Sequence, residues 1–323
     1  MNKTKKIYIA GHKGMVGSAL CRQLQENGFT NIMTRTRSQL DLLDKTAVCQ
    51  FFQDNRPDFV IDAAAKVGGI LANNTYPADF IYQNLQIQNN IIHAAHENAV
   101  EKLLFLGSSC IYPRECPQPM KESHLLTGPL EPTNDAYAIA KISGIMMCHA
   151  YYRQYGDNFL SIMPTNLYGP NDNFNLETSH VLPALVRKFH EAKTLGHEKV
   201  TLWGTGIARR ELLHVDDMAS AAIFVMQHIQ AKDIYDQNIT HLNVGTGEDI
   251  SIRELADLIG KIIGFKGKTV YDAEKPDGML LKLLDVSRLS QMGWQYKIGL
   301  PDGIKDTYQW FLENLSLGKE SSY

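Results

Sequence analysis

Tyr137 and Lys141 stand four residues apart in Tyr137-Ala138-Ile139-Ala140-Lys141. On a helix that spacing puts both side chains on one face. An ammonium beside a phenol stabilises the phenolate and draws its pKa down from about 10 toward the working pH. Such a tyrosine can give its proton to the alkoxide that develops when hydride reaches a ketone. Upstream, Leu106-Gly107-Ser108-Ser109-Cys110-Ile111-Tyr112-Pro113 directly follows an apolar strand pattern. Ligands bind at the C-terminal edge of a parallel sheet, so this segment is a candidate site.

A second chemistry-bearing segment lies near the start, Gly11-His12-Lys13-Gly14-Met15-Val16-Gly17. Its glycines allow a tight turn, a close approach of backbone to pyrophosphate, and close helix–strand packing. The following helix offers free N–H groups and a positive dipole end. Between a strand and a helix, this pattern predicts a dinucleotide site. An NAD site places an acidic residue at the end of the second strand. Here the chain reads Thr34-Arg35-Thr36-Arg37. A guanidinium fork suits a 2′-phosphate, and Lys13 adds another cation, so NADP(H) is the expected cofactor. Asp41 either accepts from the adenine amino group or caps a helix expected at 44–54.

These groups need a scaffold. Nearly continuous apolar runs at 7–10, 31–34, 59–63, 103–106 and 159–163 read as strands buried on both faces. Helical patterns at about 14–27, 78–98 and 137–155 separate them, two of them closed by Gly28 and Gly156. The alternation predicts an α/β fold: a Rossmann-type doubly wound parallel sheet with a smaller α/β C-terminal substrate domain. After Pro164 the rhythm loosens. Helices are expected near 180–195, 216–229, 251–263 and 300–315, strands at 200–203 and 269–272, and a strand at 241–244 that rejoins the sheet. The expected NADP-binding domain is 1–166 plus about 212–246. The substrate-binding domain is about 167–211 plus 247–317, and 318–323 reads as a frayed tail.

The length of 323 residues suggests about two domains. With 32 Lys+Arg against 35 Asp+Glu the net charge is −3, which excludes a strongly basic nucleic-acid binder but not a local anion site. The five cysteines, Cys21, Cys49, Cys110, Cys116 and Cys148, are odd in number and form no CxxC. A disulfide framework or a zinc site is not expected, and a reducing cytoplasm is. The apolar run after Lys5-Lys6 is too short for a signal peptide, and no run approaches a membrane span.

The set Gly11, Gly14, Gly17, Ser108, Tyr137 and Lys141 resembles the extended short-chain dehydrogenase/reductases. His214-Val215-Asp216-Asp217-Met218-Ala219 and Asn243-Val244-Gly245-Thr246-Gly247 are further marks of that family. Longer strings resemble one of its branches, the GDP-4-keto-6-deoxymannose 3,5-epimerase/4-reductases. They are Ala63-Ala64-Ala65-Lys66-Val67-Gly68-Gly69-Ile70, Asn73-Asn74-Thr75-Tyr76-Pro77-Ala78-Asp79-Phe80-Ile81-Tyr82, Met163-Pro164-Thr165-Asn166-Leu167-Tyr168-Gly169-Pro170 and Lys275-Pro276-Asp277-Gly278.

The resemblance implies roles. Ser108 would hydrogen-bond a C4 carbonyl, Tyr137 would deliver the proton there, and Lys141 would hold the nicotinamide ribose. The ketone acidifies C3–H and C5–H, and inversion at each carbon needs a base on one ring face and an acid on the other. The epimerisation pair falls on Cys110 as base and His180 as acid. The implied NADP contacts are Gly11, His12, Lys13, Gly14, Met15, Val16, Gly17, Arg37, Asp41, Leu42, Ala64, Lys141, Pro164, Asn166, Leu167 and His180. The implied GDP-sugar contacts are Lys188, Trp203, Arg210 and Asp277, with Arg187 and Arg209 as neighbours easily confused with them. No metal is implied. As side chains, His12 reads as loop structure, His149 as helix surface or core, and His214 as part of a structural turn.

Departures from the branch's pattern are Ala208-Arg209-Arg210-Glu211-Leu212 and the lysine at 188. They leave open an epimerase or 4-ketoreductase acting on another GDP-deoxysugar or GDP-heptose. A dehydratase lacks its Asp-Glu pair, since those positions hold Ser109 and Cys110. A non-catalytic NADP-binding protein would be separated by turnover. The family implies a homodimer built on the helices at 78–98 and 137–155, with Ile145, Met146 and Tyr151 facing either a partner or the sheet.

Overall fold

Strands with no polar face need cover on both sides. A computed structural model describes residues 1–315 except 177, 276 and 278. The tail expected at 318–323, and Pro276 and Gly278, lie outside the described residues. In chain order the first half runs β1 (Ile7–Ala10), α1 (Met15–Glu26), β2 (Ile32–Met33), α2 (Lys45–Asn55), β3 (Phe59–Asp62), α3 (Ile70–Thr75), α4 (Pro77–Glu97), β4 (Lys102–Leu106), α5 (Asp135–Tyr155) and β5 (Phe159–Pro164). A 3-10 turn, Ser109–Ile111, follows β4. The second half runs β6 (Asn166–Tyr168), α6 (Val181–Thr194), β7 (Lys199–Trp203), β8 (Arg209–His214), α7 (Val215–His228), α8 (Lys232–Tyr235), β9 (Leu242–Val244), β10 (Asp249–Ser251), α9 (Ile252–Ile263), β11 (Lys268–Asp272), β12 (Leu281–Lys282), α10 (Ser287–Gln291) and α11 (Leu300–Leu315).

The main sheet has the order β2-β1-β3-β4-β5-β9 and all its pairs are parallel. β1, β3, β4 and β5 are buried along their whole length. One face packs Ile7, Ile9, Ile61, Leu104 and Ile162 against α1 and α7. The other packs Tyr8, Val60, Leu103, Phe105 and Phe159 against α2, α4 and α5. Each such side chain contributes about 1.5–3 kcal/mol by burial. The order reverses between β1 and β3, which makes the crevice beyond their C-terminal ends the ligand-binding position. The 241–244 segment returns to this sheet as β9, in register with Ile162–Pro164.

Four strands have no counterpart in the sequence reading: β6, β8, β10 and β12. They form a second sheet, β10-β8-β12 with β6 on β8. β7 and β11 form a separate parallel pair. Leu182, Val186, Phe189, Leu202, Leu255, Ile259 and Phe311 pack a third core around these elements. α9 starts with a capping box: Ser251 Oγ accepts from Glu254 N at 3.1 Å, and Glu254 Oε2 accepts from Ser251 N at 2.9 Å. The strand expected at 31–34 shrinks to two half-buried residues at the sheet edge. Among the described residues no helix is long and apolar enough to cross a membrane.

Candidate active site

The glycine loop leaves β1 beside the switch point. Gly11 has φ +78°, and a Cβ there would stand 2.7 Å from Ala63 O, so only glycine lets the first and third strands' loops touch. A Cβ on Gly17 would stand 2.7 Å from His12 Cα. No side chain caps the N-terminus of α1, where Gly14 is the N-cap, which leaves its first N–H groups for an anion. Lys13 is exposed beside them. His12 touches the Arg35 backbone, and its pKa is lowered by burial and then by Lys13.

The two guanidiniums after β2 part company. Arg35 is committed to protein: it donates to Thr34 O at 2.8 Å and lies 5.2 Å over the Phe51 ring. Arg37 is exposed, with no partner among the described residues. Its guanidinium has the charge and fork geometry that a 2′-phosphate would need. Asp41 does not cap the helix; Asp44 does, accepting from Ala47 N at 3.1 Å. Asp41 instead accepts from Leu43 N at 3.1 Å and orders the turn before it. Leu42 O accepts from Asn90 Nδ2. The glycine cradle, the uncapped helix and the unpaired Arg37 fit an NADP dinucleotide.

Across the crevice, α5 carries Tyr137 and Lys141. Lys141 is buried; its Nζ donates to Leu106 O at 2.8 Å and lies 4.7 Å over Phe105 and 5.9 Å over Tyr137. Burial lowers its pKa, and Asp62 and then Cys110 oppose that. Tyr137 packs edge-on against Phe80, 6.1 Å between centroids. Its pKa is raised, by burial first and then by Cys110, against a hydrogen bond with Ser108. Burial works against the lowering expected from a neighbouring ammonium, because a phenolate here would be desolvated.

The Ser108 side chain faces both Cys110 and Tyr137 and favours the ionised form of each. The Cys110 thiol is buried in the 3-10 turn and raised by desolvation. Opposing that, in order, are Lys282, Ser108 and Lys141. Two residues on, Tyr112 OH donates to Asn243 Oδ1 at 2.5 Å and lies 2.7 Å from His241 Nε2, which anchors the turn to β9. His180 is the N-cap residue of α6; its ring makes no capping bond, and the residue is solvent-accessible while closely surrounded by protein. Burial and Lys282 lower its pKa. Gly69 N donates to Thr178 O at 3.1 Å, which ties the loop before α3 to the turn carrying His180. Cys110 and His180 each lie within the field of one ammonium, Lys282.

That ammonium, Lys282 of β12, went unnoticed in the sequence. It is the register partner of Arg210 on β8. Burial lowers its pKa, with Cys110 opposing. Glu211, in its field, ties two segments to β8: its carboxylate accepts from Thr246 N at 2.7 Å and Gly247 N at 2.8 Å in one, and from Leu284 N at 2.8 Å in the other. The early signal for Glu211 was the Arg209-Arg210-Glu211 run.

The similar-looking cations are now distinct. Arg187 pairs with Glu191 at 2.7 Å, and Arg209 pairs with Asp249 and Glu254. Lys188 is half-buried, and among the described residues Arg210 donates only to the Arg209 and Met279 carbonyls. Trp203 is 70% exposed, with Lys275 Nζ 5.9 Å over its ring. Asp277 accepts from Thr205 N at 2.7 Å and Thr205 Oγ1 at 2.8 Å, bracing the turn after Trp203. Asn166 donates to Glu211 O at 2.8 Å; Pro164 ends β5 opposite Val244, and Leu167 lies opposite Leu213. His214 caps α7 through Asp216 N, and His149 stacks near Tyr235 at 4.8 Å. Ile145 is fully buried against the sheet and Met146 is exposed.

Residues 7–245 match the NAD dependent epimerase/dehydratase family. Over 314 residues the chain is 59% identical to the GDP-L-fucose synthase of Escherichia coli (strain K12), covering 96% of this chain and 97% of that protein. It is 56% identical to GDP-L-fucose synthase 1 of Arabidopsis thaliana, covering 97% and 95%. The fold is also similar to the NADP-bound structure of a GDP-mannoheptose C4 reductase from Campylobacter jejuni, with a TM-score of 0.90, 43% identity and coverage of 97% and 99%.

Proposed function

Because this chain belongs to the NAD dependent epimerase/dehydratase family, we propose that it converts GDP-4-keto-6-deoxy-D-mannose to GDP-L-fucose with NADPH, inverting C3 and C5 and then reducing C4. The observation that supports this reading is that Cys110 faces Ser108, Tyr137 and Lys141, and that Lys282 lies in the field of both Cys110 and His180. A plain 4-ketoreductase needs only Ser108, Tyr137 and Lys141.

When bound, NADPH supplies the hydride for C4. Arg37, Lys13 and the N-terminus of α1 hold its phosphates. Ser108 donates to the C4 oxygen, so charge that develops there as C3–H or C5–H leaves is stabilised. Cys110 takes the proton as thiolate, a form that Lys282 and Lys141 support against the burial that raises its pKa. His180 returns a proton to the opposite ring face. Tyr137 then gives its proton to the C4 oxygen, and Lys141 holds the ribose. The diphosphate lies with Arg210 and Lys188, and the guanine against Trp203. These parts belong to an NADP-binding unit of 1–166 plus about 212–246 and a substrate unit of about 167–211 plus 247–317. The enzyme works in the cytoplasm as a homodimer, pairing the α4 and α5 faces that expose Tyr82, Met146 and Tyr155.

The similarity to a GDP-mannoheptose C4 reductase favours one second reading, a GDP-heptose substrate. NADPH and GDP-4-keto-6-deoxymannose are supplied in D₂O and the product is identified by NMR. GDP-L-fucose with deuterium at C3 and C5 is expected. NADPH consumption without inversion supports the heptose reading. Cys110→Ser is expected to lose deuterium exchange, and Tyr137→Phe to lose reduction while retaining exchange. Near-normal exchange in Cys110→Ser removes Cys110 from the mechanism.

A further inference from the structure

Lys141 is only 3% exposed. Its nearest neighbours, the Leu106 carbonyl and the Phe105 ring, are dipole and quadrupole. Neither supplies the full negative charge that a buried ammonium requires. The ionisable groups facing it are Asp62 from β3, Cys110 from the 3-10 turn and Tyr137 from its own helix. Thiol and phenol are ordinarily neutral at pH 7, whereas a carboxylate is ordinarily charged.

Asp62 is placed for this task. It ends β3, is 1% exposed, and its register partner on β4 is Phe105, the ring beneath Lys141. Its Oδ1 accepts from Ala64 N at 3.1 Å. Its Oδ2 is buried with no hydrogen-bond partner among the described residues. A carboxylate oxygen left open in a core is costly unless a charge faces it. The geometry points to Asp62 as a positioning residue that acts through Lys141: its carboxylate is the counter-charge that keeps the buried ammonium protonated, while its other oxygen fixes the Ala64 turn against the glycine loop. This rests on the role of Lys141 proposed above.

Burial pushes Asp62 up to about 6, against Lys141 and the Ala64 N–H. Tyr8 of β1 and Cys148 of α5 are the other titratable groups in its field. Above that pH the carboxylate is charged and raises the Lys141 pKa. Below it the carboxyl is neutral and gives no support. Asp62→Asn keeps an acceptor for Ala64 N but is neutral throughout. Lys141 must then lose its proton at lower pH in the variant, while the two proteins converge below pH 6.

The test labels lysine Cε with ¹³C in the full chain and follows the Lys141 signal, assigned by its loss in Lys141→Met. The midpoint is expected to fall by about one pH unit in Asp62→Asn and in Asp62→Ser, a roughly tenfold larger neutral fraction. The alkaline limb of NADPH oxidation moves with it. Equal midpoints in wild type and both variants overturn the proposal, as does a rate lowered by one factor at every pH. A wild type that does not turn over GDP-4-keto-6-deoxymannose refutes the proposed reaction instead, and the NMR midpoint still decides the role of Asp62.

Discussion

Replacing Gly144 by alanine tests how Lys141 is held. Gly144 lies on α5 over β4, and a Cβ there would stand 2.6 Å from Phe105 Cε1 and 3.0 Å from Cε2. That is about 1 Å short of ordinary contact. Two terms oppose each other. Alanine is the better helix former by about 1 kcal/mol. Overpacking a filled core costs about 1–3 kcal/mol. Phe105 is completely buried between Lys141 and the sheet, so it cannot swing aside. Overpacking wins, and we expect a net loss of about 1–2 kcal/mol in urea unfolding. The helix relieves the clash by lifting, and Lys141 sits one turn earlier on it. A displacement of about 1 Å at a reacting group costs on the order of 10²-fold in rate, so kcat should fall further than stability alone explains. Phe105→Leu gives room, and in that background Gly144→Ala should cost less on both readouts. A Gly144→Ala protein as stable as wild type, or a double variant whose losses simply add, would refute the reasoning.

Three further outcomes are expected. Lys102 Nζ donates to the Val225, Met226 and Ile229 carbonyls, where it caps the end of α7; Lys102→Met should cost about 2–4 kcal/mol in urea unfolding and leave NADPH affinity unchanged. Burial pushes Asp172 up to about 7, against the Asn173 N–H. Its folded pKa exceeds the unfolded value, so its contribution to stability is full at low pH and is lost as pH rises through 7. Asp172→Asn should therefore narrow the stability difference between pH 5 and pH 8 by on the order of 2 kcal/mol, and an unchanged difference in the two urea midpoints counts against it. Lys282→Met removes the cation that most opposes the rise of Cys110. Alkylation of Cys110 by iodoacetamide at pH 8, read by peptide mass spectrometry, should slow about tenfold.

The parts of the molecule built from local pattern were legible early. β1 and its glycine loop, α1 and α5 with the four-residue spacing of Tyr137 and Lys141, are each written in a short stretch of chain. The second sheet was not. β6, β8, β10 and β12 are short, and β8 opens Arg209-Arg210-Glu211, which alternation alone does not mark as a strand. Its identity as a strand comes from pairing with residues far along the chain, such as Arg209 with Leu281.

Residue type and spacing by themselves determined which chemistry this protein is equipped for. An acid beside an ammonium, a dinucleotide loop, and an arginine where an NAD site would hold a carboxylate all follow from bonding preferences carried by single side chains. Only the tertiary structure decided which of several similar groups are available for it. Arg187 and Arg209 are spent on carboxylates while Lys188 and Arg210 are not. Lys282 lies in the field of both Cys110 and His180, and Asp62 in that of Lys141. Electrostatic partnership depends on distance and burial, and those are set by strand register and helix packing rather than by position along the chain.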